Sequence, residues 1–163
     1  MTLEPGAKTH YLLAGNLFAH EDPHLVTTVL GSCVSVCLWD VARLRGGINH
    51  FMLPLWNGDG LASPKYGNIA IAKLIERMYG LGAEKRNLRA KLFGGGVVLN
   101  VSNPFMNIGE RNIQLAEDVL RTEGIPILSA DTGGNVGRKI IFNTATGTVL
   151  VKRLLKQIDD IRI

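Results

Sequence analysis

Apolar residues recur along this chain with two periods. Short β-branched runs alternate with polar residues in the first third and near the end, as strands do, and two longer segments carry apolar residues three and four apart, as helices do. Tyr11–Ala14 reads as a first strand, and Glu21-Asp22-Pro23-His24 as a turn. Thr27–Leu30 and Val34–Trp39 read as strand, interrupted at Gly31-Ser32. After a turn at Arg43–Gly47, Ile48–Leu53 is a further strand closed by Pro54, and Trp56–Ala62 is a polar, glycine-rich loop. Ser63-Pro64 then opens a helix, with serine as cap and proline in the first position; its apolar face is Ile71, Leu74, Ile75 and Met78, and Gly80 and Gly82 stop it.

Leu88, Ala90 and Leu92 alternate with Arg89 and Lys91, predicting a strand with one wet face that breaks at Gly94-Gly95-Gly96. Asn107 with Glu110 predicts a second helix start, the helix carrying Leu115, Ala116, Val119 and Leu120 on one side and ending at Gly124. Ile125–Ala130 is a short apolar strand, and Lys139–Asn143 with Thr148–Arg153 form a hairpin about Gly147. Two helices and about seven strands make an α+β pattern, with too few crossover helices for a doubly wound sheet.

The 163 residues predict a single domain, 1–163, with a sizeable core. No apolar run is long enough to span a bilayer, and the start, Met1-Thr2-Leu3-Glu4-Pro5-Gly6, lacks the charged and apolar regions of a signal peptide, so a cytoplasmic protein is expected. The net charge of +4 is slight, the basic residues are dispersed and aromatics are 6% of the chain, which argues against nucleic-acid binding. The two cysteines, Cys33 and Cys37, lie four apart on a strand. That separates them by about 13 Å, beyond the roughly 7 Å a disulfide allows. Free thiols fit a reducing compartment.

Candidate chemistry centres on Cys33. It follows the Gly31-Ser32 break, which can free backbone N–H groups to face a ligand, and His50 lies seventeen positions on. A cysteine attacks a carbonyl when a base takes its proton and a third group orients that base. The plainer reading of Cys33 is a small buried residue, and Cys37, deeper in the apolar run, is read that way. His50 shares parity with Ile48 and Met52 on an apolar face, where a lone histidine is commonly a satisfied core residue.

Other motifs carry less. His20 and His24 have metal-like spacing, but Pro23 between them prevents a regular helix from presenting both. Gly94-Gly95-Gly96 fits neither phosphate-loop pattern. Asp131-Thr132-Gly133-Gly134 matches the aspartic-protease triplet in one copy where two aspartates are needed, so a structural turn is expected.

Taken in order, Leu30-Gly31-Ser32-Cys33-Val34, His50 with Met52-Leu53-Pro54, Lys65-Tyr66-Gly67, Gly94-Gly95, Asn107–Asn112 and Asp131–Gly134 resemble the CheD family of chemoreceptor glutamine deamidases, from about Val26 to Arg153. The N-terminal twenty-odd residues and Trp56–Ala62 fit that pattern least. The resemblance implies a β-sandwich-like core flanked by about two to three helices, related to the fold of deamidating bacterial toxins. It implies a cysteine hydrolase converting glutamine side chains of methyl-accepting chemotaxis receptors to glutamate through a thioester, with Cys33 as nucleophile, His50 as base and Thr27 as the threonine that orients the histidine.

No metal or organic cofactor is implied. The receptors are the protein substrate, a CheC-type phosphatase is the implied regulator, and a monomer is expected. Trp56–Ala62 and Asn103–Met106 are expected rim elements. Two alternatives keep the surface or the nucleophile but change the role: a non-catalytic regulator that binds the CheC phosphatase, and a receptor methylesterase or transglutaminase.

Overall fold

The computed structural model describes residues 7–97 and 107–154. Among them are nine strands and two α-helices: β1 (Lys8–Tyr11), β2 (Leu17–His20), β3 (His24–Leu30), β4 (Val34–Asp40), β5 (Arg45–Asn49), α1 (Gly67–Gly80), β6 (Leu88–Gly94), α2 (Ile108–Glu123), β7 (Ile127–Thr132), β8 (Gly137–Asn143) and β9 (Val149–Leu154). The strands form two mixed sheets, β1-β3-β8-β9 and β2-β5-β4-β6-β7. Among the described strands, only β1–β3 and β6–β7 pair in parallel. The fold is α+β, as the pattern predicts.

Strand alternation gives β4 two buried faces, and so builds two cores. Val34, Val36 and Leu38 point to one side, where they meet Ile71, Leu74 and Met78 of α1 and Leu120 of α2. Cys37 points to the other, with Ile48 and Phe93, against Val26, Leu30, Ile140 and Phe142 of the four-stranded sheet. Helices, five-stranded sheet and four-stranded sheet are therefore three layers, and whatever sits on the Cys37 side of β4 lies between the sheets.

Several boundaries differ from the expected ones. The first strand is Lys8–Tyr11, upstream of Tyr11–Ala14, and β2 was not expected at all. The strand expected through Leu53 ends at Asn49, and Phe51 and Leu53 persist as isolated bridges to Val34 and Tyr66. That second bridge also delays α1. The N–H groups of Met52 and Leu53 both donate to Lys65 O, and Gly67 N–H donates to Leu53 O. Residues 65–67 are thereby held extended, and the helix starts at Gly67 after an uncapped Tyr66 rather than at Ser63-Pro64. The second helix starts as expected: Asn107 accepts from Glu110 N–H, and Gly124 ends it at φ 73°. No described helix is long and apolar enough to cross a membrane.

Candidate active site

The break at Gly31-Ser32 is where the chain leaves the four-stranded sheet at the end of β3 and enters the five-stranded sheet as β4. Cys33 sits half-buried at this junction and packs against the inter-sheet core. Across from it, Val34 N–H donates to Phe51 O (3.1 Å) and Phe51 N–H to Val34 O (3.0 Å). Val34 and Phe51 face the helices. Their neighbours Cys33 and His50 therefore face the four-stranded sheet, as diagonal partners on one surface, a relation that spaces Cα atoms by roughly 7–8 Å.

His50 is held on three sides. Its N–H donates to Asn16 O (3.1 Å), and its carbonyl accepts from Gly15 N–H (2.8 Å). The ladder to β4 is interrupted beside it because Asn49 Oδ1, rather than a main-chain oxygen, accepts Val36 N–H (2.8 Å). His50 is 5% exposed, and its Nδ1 lies 2.7 Å from Thr28 Oγ1. Thr28 Oγ1 also lies 2.8 Å from Leu12 O, to which it donates. A hydroxyl has one proton. With that proton on Leu12 O, Thr28 accepts Nδ1–H, and Nε2 keeps its lone pair. The surroundings thus select the tautomer a general base needs.

The threonine at the ring is Thr28 and not the expected Thr27. Thr28 is fully buried on the face of β3 shared with Val26 and Leu30. Thr27 is one residue off, so the strand turns its side chain to the opposite face.

Burial sets the resting charge state. It lowers the His50 pKa from 6.5 to about 4, so the imidazole is neutral at neutral pH. Burial raises the Cys33 thiol above its ordinary value, an effect its own backbone partly offsets. Thiol and imidazole are both uncharged at rest. Cys37 is buried and its thiol is pushed far upward by desolvation, which removes it as a nucleophile.

The nucleophile segment is held from behind. Gly95 N–H donates to Cys33 O and Gly96 N–H to Gly31 O, both at 2.9 Å. Gly94, at φ 103°, would with a Cβ overlap the Cys33 carbonyl oxygen. The glycine triplet is therefore a close backbone approach. Behind it, Gly133 N–H donates to Gly94 O (2.9 Å) and Val97 N–H to Gly134 O (2.8 Å). Arg138, 2% exposed, donates to Asp131 (3.0 Å) and to Gly133 O (2.7 Å). Burial of Asp131 opposes its charge, but hydrogen bonds from Arg153 and Arg138 outweigh it and hold the carboxyl below its ordinary value. Asp131–Gly134 is a buttress for the glycine triplet.

Sequence reasoning missed Asn112, which is fully buried on α2 and donates from Nδ2 to Ser32 O (3.0 Å) and Met52 O (3.1 Å). Its signal was available: Asn112 lies four before Ala116 and eight before Leu120, on the buried stripe of α2. His20 and His24 clasp their turn, His20 Nδ1 accepting from Asp22 N–H and His24 Nδ1 donating to Asp22 O. Trp56–Ala62 lies beyond Leu55, and Leu13, Met52, Leu55 and Leu61 are exposed apolar side chains along the chain on either side of His50. The rim element expected at Asn103–Met106 lies outside the described residues. A groove between α2 and β7, lined by Leu92, Leu120, Ile125 and Ile127, shares no residue with this site.

Comparison with known proteins gives one consistent result. The family model for CheD chemotactic sensory transduction matches residues 52–153, beginning just after His50. Individual relatives extend the likeness to about nine-tenths of the chain. A protein of Trichlorobacter lovleyi called probable chemoreceptor glutamine deamidase CheD is 51% identical over 146 residues, which are 90% of this chain and 91% of the relative. One of Sulfurimonas denitrificans with the same name is 48% identical, covering 90% of this chain and 94% of its own length. A third, from Rhodospirillum rubrum, is 44% identical over 88% of this chain and 81% of the relative.

Proposed function

Because the chain belongs to the CheD family, we propose that it hydrolyses glutamine side chains of chemoreceptors to glutamate, with Cys33 as nucleophile, His50 as general base and Thr28 as the group that orients His50. The observation that carries this reading is the Leu12–Thr28–His50 chain of hydrogen bonds, which leaves Nε2 unprotonated on the face shared with Cys33. The names of the relatives supply the substrate class.

The reaction starts from a neutral pair. As the Cys33 sulfur attacks the side-chain carboxamide carbon, His50 Nε2 takes the thiol proton. Thr28 stabilises the imidazolium by accepting Nδ1–H, and the oxygen of the tetrahedral intermediate becomes an oxyanion. Ser32 N–H, which meets no acceptor among the described residues, and Cys33 N–H, which faces its own sulfur, are its donors. The intermediate collapses by expelling nitrogen, which takes the proton from His50 and leaves as ammonia. A γ-glutamyl thioester remains on Cys33. His50 then deprotonates a water that attacks the thioester, and glutamate departs as the thiol reforms.

The exposed Leu13, Met52, Leu55 and Leu61 suit a protein substrate that presents a helix surface rather than a small molecule held in a pocket. The same rim suits a CheC-type phosphatase presenting a similar helix, whose binding would compete with receptor. Titrating that partner against a receptor fragment checks this; simultaneous binding with unchanged turnover refutes it. Ammonia release from an unmethylated receptor fragment identifies a deamidase. Methanol release from a methylated fragment, with no ammonia from the unmethylated one, identifies a methylesterase instead.

A further inference from the structure

Three consecutive carbonyls around the nucleophile are each tied to the far side of the segment. Gly31 O accepts from Gly96 N–H (2.9 Å), Ser32 O from Asn112 Nδ2 (3.0 Å) and Cys33 O from Gly95 N–H (2.9 Å). Of these donors, only Asn112 is a side chain. A planar trans peptide points its C=O and its N–H in opposite directions. Fixing Gly31 O therefore aims Ser32 N–H, and fixing Ser32 O aims Cys33 N–H, away from the clamp. Val34 N–H is already spent on Phe51 O. The N–H groups left are that of Ser32, for which no described residue supplies an acceptor, and that of Cys33, which faces its own sulfur. Successive N–H groups turned to one side beside the sulfur make an anion-binding concavity.

Asn112 reaches this position because Gly109 of α2 packs directly on the backbone of the glycine triplet. A Cβ on Gly109 would overlap Gly95 O, and a Cβ on Gly95 would overlap Ile113. The same amide also donates to Met52 O (3.1 Å), two residues beyond His50. One side chain thus ties the nucleophile's segment to the base's segment. It does so at a cost, since Asn112 Oδ1 is buried with no hydrogen-bond partner among the described residues. A residue present only to fill space has no need of that cost.

We infer that Asn112 is a positioning residue for acyl transfer, its amide holding the Ser32–Cys33 peptide so that Cys33 N–H points at the oxyanion. The inference rests on the reading of Cys33 as nucleophile. Asn112→Leu keeps similar volume and removes both donated hydrogen bonds, and Asn112→Ala is the second variant. Turnover of a receptor fragment is measured beside iodoacetamide labelling of each cysteine. Alkylation displaces iodide at a saturated carbon and forms no oxyanion, so it reports the Cys33 thiol without the hole. Labelling of the buried Cys37 reports loss of folding.

The expected result in at least one variant is a kcat lower by about 10–100-fold with KM little changed, Cys33 alkylation close to the parent's and Cys37 unlabelled. An unchanged kcat in a folded variant overturns the inference, as does an equal loss of alkylation and turnover. Labelling of Cys37 in both variants also overturns it, because Asn112 is then a folding residue. Cys33→Ala serves as the control. If it retains activity, the nucleophile assignment fails whatever Asn112 does.

Discussion

Thr28 Oγ1 stands 2.7 Å from His50 Nδ1 and 2.8 Å from Leu12 O, so the hydroxyl donates to the carbonyl and accepts from the ring. This links a strand of one sheet to a histidine just past the end of β5 in the other. Thr28→Val keeps the shape and removes the hydroxyl, leaving Leu12 O and Nδ1–H buried without a partner. Turnover should fall by about 10–100-fold, less than the roughly 10²–10⁴-fold expected of His50→Ala, and stability by about 1–3 kcal/mol. Thr27→Val, on the opposite face, should stay within about threefold of the parent, since surface changes rarely exceed ~0.5 kcal/mol. Kinetics and thermal melts of both variants check this, and a larger loss in Thr27→Val would reverse the assignment.

The pH behaviour follows from burial of the base. With its pKa lowered from 6.5 to about 4, His50 stays neutral through the range where an ordinary histidine takes up a proton. The rate of turnover should show no acid limb near 6.5; the His50 limb belongs near 4. Stability has the same sign. Between about 4 and 6.5 the unfolded chain binds a proton that the folded chain refuses, so stability rises with pH across that window. The contribution is complete above 6.5 and lost as pH falls through 4, about 3 kcal/mol over the whole window. Denaturant titrations at pH 5 and pH 7 measure it, with His50→Gln expected to flatten the difference.

The two thiols should differ in kind. Cys33 is half-buried with a raised pKa, so its alkylation should be slow near neutrality and accelerate only above the ordinary thiol range. Cys37 should label only on unfolding, and Cys37→Ala should keep most activity at a cost in packing. Peptide mapping after iodoacetamide treatment at graded pH distinguishes them.

Gly94 tests the close approach at the nucleophile. Its φ of 103° is strained for any L side chain, and a Cβ there would overlap the Cys33 carbonyl oxygen. Gly94→Ala should lower stability by more than about 2 kcal/mol and reduce turnover further than the loss of folded protein explains. Activity per folded molecule, with folding measured by near-ultraviolet circular dichroism, is the readout.

Sequence alone locates the strand break, both helices and the β8–β9 hairpin because each is marked locally: Gly31-Ser32, the Asn107–Glu110 cap, Gly124 and Gly147. It misplaces the start of α1 because the contact that delays it, Leu53 to Tyr66, joins segments with no local mark. It misses β2 because Leu17, Phe18 and Ala19 do not alternate with polar residues. Two adjacent threonines on one strand differ only in which face they take. Parity with Val26 and Leu30 identifies Thr28 once the inter-sheet face is known to carry the histidine. Asn112 escapes for a related reason: a polar residue in an amphipathic helix reads as solvent-facing unless its place on the apolar stripe is counted.

The most direct test is the mass of a purified chemoreceptor cytoplasmic fragment after incubation with this protein and with Cys33→Ala. The parent protein should shift the fragment by the increment of amide-to-acid conversion at glutamine, releasing equimolar ammonia, and folded Cys33→Ala should leave the fragment unchanged. The same shift produced by Cys33→Ala would contradict the assignment of Cys33 as nucleophile.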